Sequence, residues 1–334
     1  MNRFQIIPRQ NIDEHIWDDL NRITGGSALS THGWLKHATT LGMIDDSFGI
    51  YENGILKAIV PVWVAKIGNF RRGTSIPFGF GNLSAFSIDM WDFLKVSLSK
   101  KLDVLTINSA IRISAPIDCH LKTFTEVVVD LEESPLIFRA SLSARVQKYI
   151  RAAARDNSLL VREILNEEEV IKCWNLYQIS MKYAGSAGSL TRDLFISLFR
   201  SRIDSVIYVA IQDSEIVSFL IISYKDSEAF AIATGVNRVT AKNSLAPYLM
   251  SESCDRLRSL GVNRIHFWGG LDGAEDGILE FKRKFGRDAI YYQNVVSFSA
   301  KGRFFLKLEL FLPRNLARKI WKNYLSIRRI SKSV

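Results

Sequence analysis

Long apolar runs are missing from this 334-residue chain. No stretch reaches the roughly 18 uninterrupted apolar residues that a membrane-crossing helix requires, so no spanning segment is expected. The opening residues MNRFQIIPRQ contain no apolar core of the kind a secretory leader carries, and none is expected. Cysteine is scarce: Cys119, Cys173 and Cys254 lie far apart and never form a CxxC pair. That argues against a disulfide framework or a zinc site, and for reduced, buried thiols in a cytoplasmic setting. The five histidines, His15, His32, His37, His120 and His266, never stand at metal-ligand spacing, so no metal is expected. No GxSxG elbow, HExxH helix, Walker loop or kinase signature occurs. Gly79-Phe80-Gly81 lacks the strand-to-helix setting of a dinucleotide site and reads as a turn.

What is present is the composition of a folded protein, 47% hydrophobic and 23% charged. The length suits two domains of about 130–170 residues each. The net charge of +10 is unevenly spread, because residues 301–334 hold ten basic side chains and a single acid, Glu309. Within 313–329, Leu316, Ile320, Trp321, Tyr324 and Ile327 recur at three- and four-residue steps, with basic residues around the other side. Such a helix suits peripheral contact with an anionic membrane; packing on its own domain and contact with an RNA backbone are the alternatives.

Periodicity and turn residues give a coarse map. Helices are expected at 15–22, 31–38 and 89–100, a hairpin at 48–51 and 55–64 around Asn53-Gly54, and strands at 104–108 and 124–131. Ser134-Pro135 marks a boundary between 1–135 and 136–300. Beyond it the order is helix 143–155, strand 159–163, helices 167–182 and 192–201, and strands 206–212, 216–224 and 228–235. Helix 244–260 follows, closed by Gly261, then strand 264–268, helix 274–285 and strand 290–298. That order describes an α/β protein with a mixed sheet and helices on both faces, and each half can supply one such sheet.

Four segments carry candidate chemistry. Arg145, Lys148, Arg151 and Arg155 form one basic stripe on a helix, either a phosphate contact or an ordinary solvated face. Tyr183 precedes the small-residue loop 184–189, a lid or a plain connector. The strand ending at Gly235 runs toward Asn243, Ser244 and a long helix, a setting whose backbone N–H groups can meet an anion or a developing oxyanion. Trp268, Gly269, Gly270 and Asp272 follow a strand, where the glycines permit close approach of a ligand and Trp268 either stacks on it or packs at an edge. Phe281 and Phe285 read as core, leaving Lys282 facing elsewhere as a ligand contact.

The segments SLSARVQKYIRAAARDN, WNLYQISMKYAGSAG, ATGVNRVTAKNSLAPYLMSESCDRLRSLGVNRIHFWGG and GILEFKRKFGRD, in that order, resemble the Fem-type transferases, a branch of the GNAT acyltransferase superfamily. STHGWL and IPFGFG in the first half agree in outline, so the resemblance spans about 25–298 and leaves the basic tail uncovered. It implies two tandem GNAT-like domains and transfer of an acyl or aminoacyl group onto an amine of a cell-envelope precursor, peptidoglycan or polysaccharide. The implied donor is an aminoacyl-tRNA or an acyl thioester used as co-substrate, with no tightly bound cofactor; the acceptor can be lipid-linked, at the inner face of the membrane. Asp272 is then the base or amine-orienting carboxylate, Tyr183 a proton donor, and backbone near Gly235 the oxyanion donor. Arg145, Lys148, Arg151 and Lys282 hold phosphates. One departure stands out: Arg238-Val239-Thr240-Ala241-Lys242-Asn243 lacks the glycines of an acetyl-CoA pyrophosphate loop. An acetyl-CoA-dependent N-acetyltransferase is therefore the weaker reading, beside a non-catalytic binding protein on a degenerate GNAT fold.

Overall fold

The computed structural model describes residues 3–24, 26–67, 70–75, 88–109, 119–131, 134–183, 190–201, 204–237, 245–267 and 277–311. The first half carries strands β1 (Phe4–Pro8), β2 (Ile44–Asp45), β3 (Phe48–Glu52), β4 (Ile55–Val60), β5 (Trp63–Ile67), β6 (Phe70–Ser75), β7 (Val104–Ser109) and β8 (Cys119–Asp130). Its helices are α1 (Glu14–Ile23), α2 (His32–Leu35) and α3 (Ile88–Leu98). The second half runs α4 (Pro135–Ser141), α5 (Ala144–Ala154), β9 (Leu159–Glu163), α6 (Glu167–Tyr183), α7 (Arg192–Ser201), β10 (Ser205–Gln212), β11 (Glu215–Lys225) and β12 (Glu228–Val236). It closes with α8 (Leu245–Ser259), β13 (Arg264–Phe267), α9 (Gly277–Arg283), β14 (Arg287–Ser297) and α10 (Ala300–Phe311).

Local chemistry sets these boundaries. Asp13 caps α1 by accepting from the N–H groups of His15 and Ile16, and Ser143 caps α5 through Val146 N–H. Asn53 and Gly54 both take positive φ, 51° and 80°, which a two-residue hairpin turn requires, and they join β3 to β4. Gly261, at φ 85°, ends α8 as expected. The tail departs from a uniform appendage: its first turns form α10, where Leu306 is buried and Ser299 Oγ both caps Gly302 N–H and donates to Asp103 Oδ1. The expected helix at 313–329 lies outside the described residues.

The sheet differs from the expectation of one per half. Apart from a three-stranded sheet, β1-β3-β4, all strands join one eleven-stranded sheet in the order β2-β5-β6-β7-β14-β8-β13-β12-β11-β10-β9. Each half builds a parallel pair, β6 with β7 and β12 with β13. Beside that pair stands the last strand of the other half: β14 next to β7, and β8 next to β13. The exchanged strands then pair with each other over Arg287–Val296 and Cys119–Val128. Neither half completes its ladder alone.

Strand alternation divides the second half into two packed layers. Ile207, Val209, Phe219 and Phe230 face α6, α7 and the first-half residues Trp17, Leu29, Trp34 and Trp63. Tyr208, Ala210, Leu220 and Ala229 face α4, α5 and α8. The outer strand β9 is closed against further pairing. Ile164 N–H donates to Ile207 O, so the groups of Leu159, Val161 and Glu163 point outward. Val161 O accepts from Arg256, Glu163 O from Arg162, and Leu159 N–H donates to Asp156 O.

Gly286, between α9 and β14, sits directly on the exchanged strand. A Cβ there would lie 2.2 Å from Val128 O, a backbone atom of β8 with no freedom to retreat. Gly286→Ala is expected to lower the unfolding free energy by about 2 kcal/mol, read by denaturant titration.

Candidate functional site

Gly235 lies near the end of β12 under α6. A Cβ on it would come within 2.5 Å of Phe219 and 3.3 Å of the Leu176 backbone, so glycine permits the close approach of helix to strand. Its carbonyl accepts from Ser218 Oγ at 3.0 Å, and the next N–H, of Val236, donates to Ser180 Oγ on α6 at 3.0 Å. Tyr183, one helical step beyond Ser180, ends α6 and is 58% exposed. Gly235 and Tyr183 thus belong to one corner of the molecule. The described ladder between β12 and β13 stops at Ala231 opposite Phe267, whereas β12 continues to Val236.

Arg145, Lys148 and Arg151 are exposed along α5, on the opposite face of the sheet from Tyr183. The helix leads to Asp156, which accepts from Gln212 Nε2 at 3.5 Å, so the stripe ends at the sheet end that also holds Val236. Lys282 is half-buried on α9, and its ammonium favours the charged form of Glu126. Phe285 is buried and stacks obliquely on Phe281 at 5.3 Å, as core residues. Asp272, Asn243, Ser244, Trp268, Gly269 and Gly270 lie outside the described residues. Cys173 and Cys254 are free and buried, and burial pushes both thiols up to about 12.

The strand exchange assembles a cluster that spacing along the chain does not announce. His266, on β13, stands between two carboxylates: Glu126 of β8 at 3.2 Å from Nδ1 and Glu228 of β12 at 2.5 Å from Nε2. The Tyr291 hydroxyl of β14 lies 3.0 Å from Nδ1, and the Phe230 ring stacks on the imidazole at 4.4 Å. Glu126 is 1% exposed, and burial lifts its carboxyl above the ordinary range against the opposing pull of His266. Burial alone would push His266 down, but hydrogen bonds to Glu126 and Glu228 outweigh it and raise the imidazole to about 9. Burial and the Glu126 charge push the Tyr291 hydroxyl up. Toward solvent the pattern continues as Glu228, Arg264, Asp130 and Arg287, alternating in sign across four strands. The only sequence signal was a lone histidine in an apolar strand; its carboxylate partners stand 140 and 38 residues away.

A second contact across the halves joins His37 Nδ1 to Ser197 Oγ at 2.8 Å. Burial lowers that imidazole to about 4, so it is neutral at physiological pH. Among the described residues no group of three or more His, Cys, Asp or Glu side chains is placed to hold a metal. Nor is any described helix long and apolar enough to cross a membrane.

No known protein family's sequence profile matches the chain, and no curated protein sequence matches it. Solved structures do. FemX aligns with a TM-score of 0.69 and 10% identity over 91% of this chain and 100% of that one. The C-terminal domain of a putative lysylphosphatidylglycerol synthetase from Agrobacterium fabrum aligns at 0.55 and 12%, over 87% and 93%. A tandem GNAT protein from the clavulanic acid biosynthesis pathway aligns at 0.53 and 11%, over 89% and 99%. At these identities the likeness is one of fold: the chain has the architecture of FemX and of a tandem GNAT protein.

Imidazolium His266 ties β8 of the first half to β12 and β13 of the second. Because its folded titration point of about 9 exceeds the ordinary 6.5, its contribution is complete below 6.5 and disappears as pH rises through 9. Wild-type unfolding free energy is expected to fall by up to about 3 kcal/mol between pH 7 and 10. His266→Gln, followed by the same denaturant titrations, is expected to flatten that slope.

Proposed function

We propose that the protein transfers an acyl or aminoacyl group onto an amine of a cell-envelope precursor, taking an aminoacyl-tRNA or an acyl thioester as donor. The observation that carries this reading is the meeting of Gly235, at the end of β12, with the end of α6 at Ser180 and Tyr183, inside the fold shared with FemX and a tandem GNAT protein. The reading gives the reacting carbonyl a place beside Gly235, near the end of β12. The similarity to FemX and to a putative lysylphosphatidylglycerol synthetase supports an envelope acceptor, either a peptidoglycan precursor or a lipid.

The chemistry asks little covalent work of the protein. A neutral amine attacks an ester or thioester carbonyl, the C–N bond forms, and the C–O or C–S bond breaks. Holding the two reactants in near-attack geometry is worth about 7 kcal/mol or more. Backbone N–H groups of β12 around Gly235 would stabilise the oxyanion, typically by about 3 kcal/mol. Tyr183 serves as proton donor to the leaving group, and Asp272 orients or deprotonates the amine. Arg145, Lys148, Arg151 and Lys282 meet phosphates of donor or acceptor, with Asn243, Ser244, Trp268, Gly269 and Gly270 completing the binding walls.

Mass spectrometry of the chain incubated with alanyl-, seryl- and lysyl-tRNA or acetyl-CoA, against a lysine-containing precursor peptide, an amino sugar and phosphatidylglycerol, is expected to show one acylated product. Tyr183→Phe is expected to lower kcat by about a hundredfold with KM unchanged, and Lys282→Ala to raise KM. No product from any donor contradicts the reading, and unchanged kinetics in both variants remove those residues from the site.

A further inference from the structure

Three cations of α5 and its C-cap Arg155 form one exposed row. Arg145, Lys148, Arg151 and Arg155 are exposed and follow one another at steps of three, three and four, so they share one side of the helix. Val146, Ile150 and Ala153 turn the other way, into the core. Several other exposed arginines are answered by carboxylates: Arg3 by Glu52 and Asp89, Arg200 by Glu167, Arg283 by Asp288. The α5 row is not. Among the described residues Lys148, Arg151 and Arg155 make no ion pair, and Arg145 donates to the Tyr149 hydroxyl at 3.0 Å.

Large apolar side chains stand in water beside this row. On α4, Leu136 is 79% exposed and Ile137 53%. Leu260, 50% exposed, follows the last turn of α8, whose Arg258 lies over the Phe138 ring of α4. Both α4 and α5 rest on α8: Arg139 binds Ser251, Glu252 and Asp255, and the buried side of α5 joins the same core. Their outward sides therefore belong to one layer. Leu136 and Arg145 are nine residues apart, joined through the extended residues Leu142 and Ser143, so at most about 20 Å of chain separates them.

We propose that the outer face of α4 and α5 docks on an anionic lipid bilayer, with Leu136 and Ile137 entering the headgroup region and the α5 cations meeting lipid phosphates. Unanswered cations alone would suit any polyanion. The exposed aliphatic side chains favour lipid, because a nucleic-acid backbone engages cations and leaves such groups in water. The proposal deepens the envelope-acceptor reading and rests on it for its purpose, but binding needs no turnover, so the two fail separately. It also gives the stripe a definite partner in place of a phosphate of unspecified origin.

Sedimentation of the full-length chain with vesicles tests this. Binding is expected to phosphatidylcholine–phosphatidylglycerol vesicles, to weaken as salt rises, and to be absent from phosphatidylcholine alone. Replacing Arg145, Lys148, Arg151 and Arg155 with glutamine should weaken partitioning about fivefold per cation. Leu136→Ser with Ile137→Ser should weaken it with every charge intact; all six positions are exposed, and unchanged thermal transitions confirm that the variants fold. A glutamine variant that binds vesicles as wild type does overturns the proposal and moves lipid contact to another surface, such as the basic tail. Serine variants that bind as wild type, while the glutamine variant loses a tRNA probe, overturn it in favour of an RNA surface.

Discussion

Each half of this protein lacks one strand, and the other half supplies it. Because β14 enters between β7 and β8, while β8 lies against β13, the backbone groups of either half find partners only when both are folded. The rest follows from that exchange. It merges what would be two sheets into one and draws first-half aromatics onto the face that packs α6 and α7.

The exchange also creates the chain's most unusual electrostatics. His266 gains Glu126 only because β8 crosses into the second sheet, and Tyr291 only because β14 crosses back. A buried carboxylate without a cation is costly, and so is an imidazolium without carboxylates; paired, they hold the seam. Glu126 carries the first half's charge into this arrangement, so the clamp joins halves as well as strands. His266 is level with Phe230, five residues or ~16 Å along β12 from Gly235.

Much of the second half was legible before the structure, and the reasons are local. Alternating apolar residues gave β10, β11 and β12, and the turn pairs at Asp213-Ser214 and Asp226-Ser227 separate them as expected, with Asp213, Ser214 and Asp226 at positive φ. Gly261 ended α8, and the stripe on α5 faced solvent as its spacing required. The first half was harder. Strand β1 contains proline at its end, β6 carries Arg71-Arg72-Gly73, and β2 is two residues long, so none shows a two-residue apolar period. Strand exchange itself has no local signature, since it depends on which distant strand fills a vacant ladder. For that reason Glu126, Glu228 and Tyr291 could not be attached to His266 from spacing, whereas the strand and helix ends that carry Gly235 and Tyr183 were legible from local pattern.

Native-state hydrogen exchange of the full-length chain, followed through sub-denaturing concentrations of denaturant, tests the strand exchange most directly. The account predicts that amides of β7, β8 and β14 reach the same opening free energy as those of β12 and β13, as one cooperative unit. Two units, with β7 and β8 exchanging through an opening that leaves β12 and β13 protected, would contradict it.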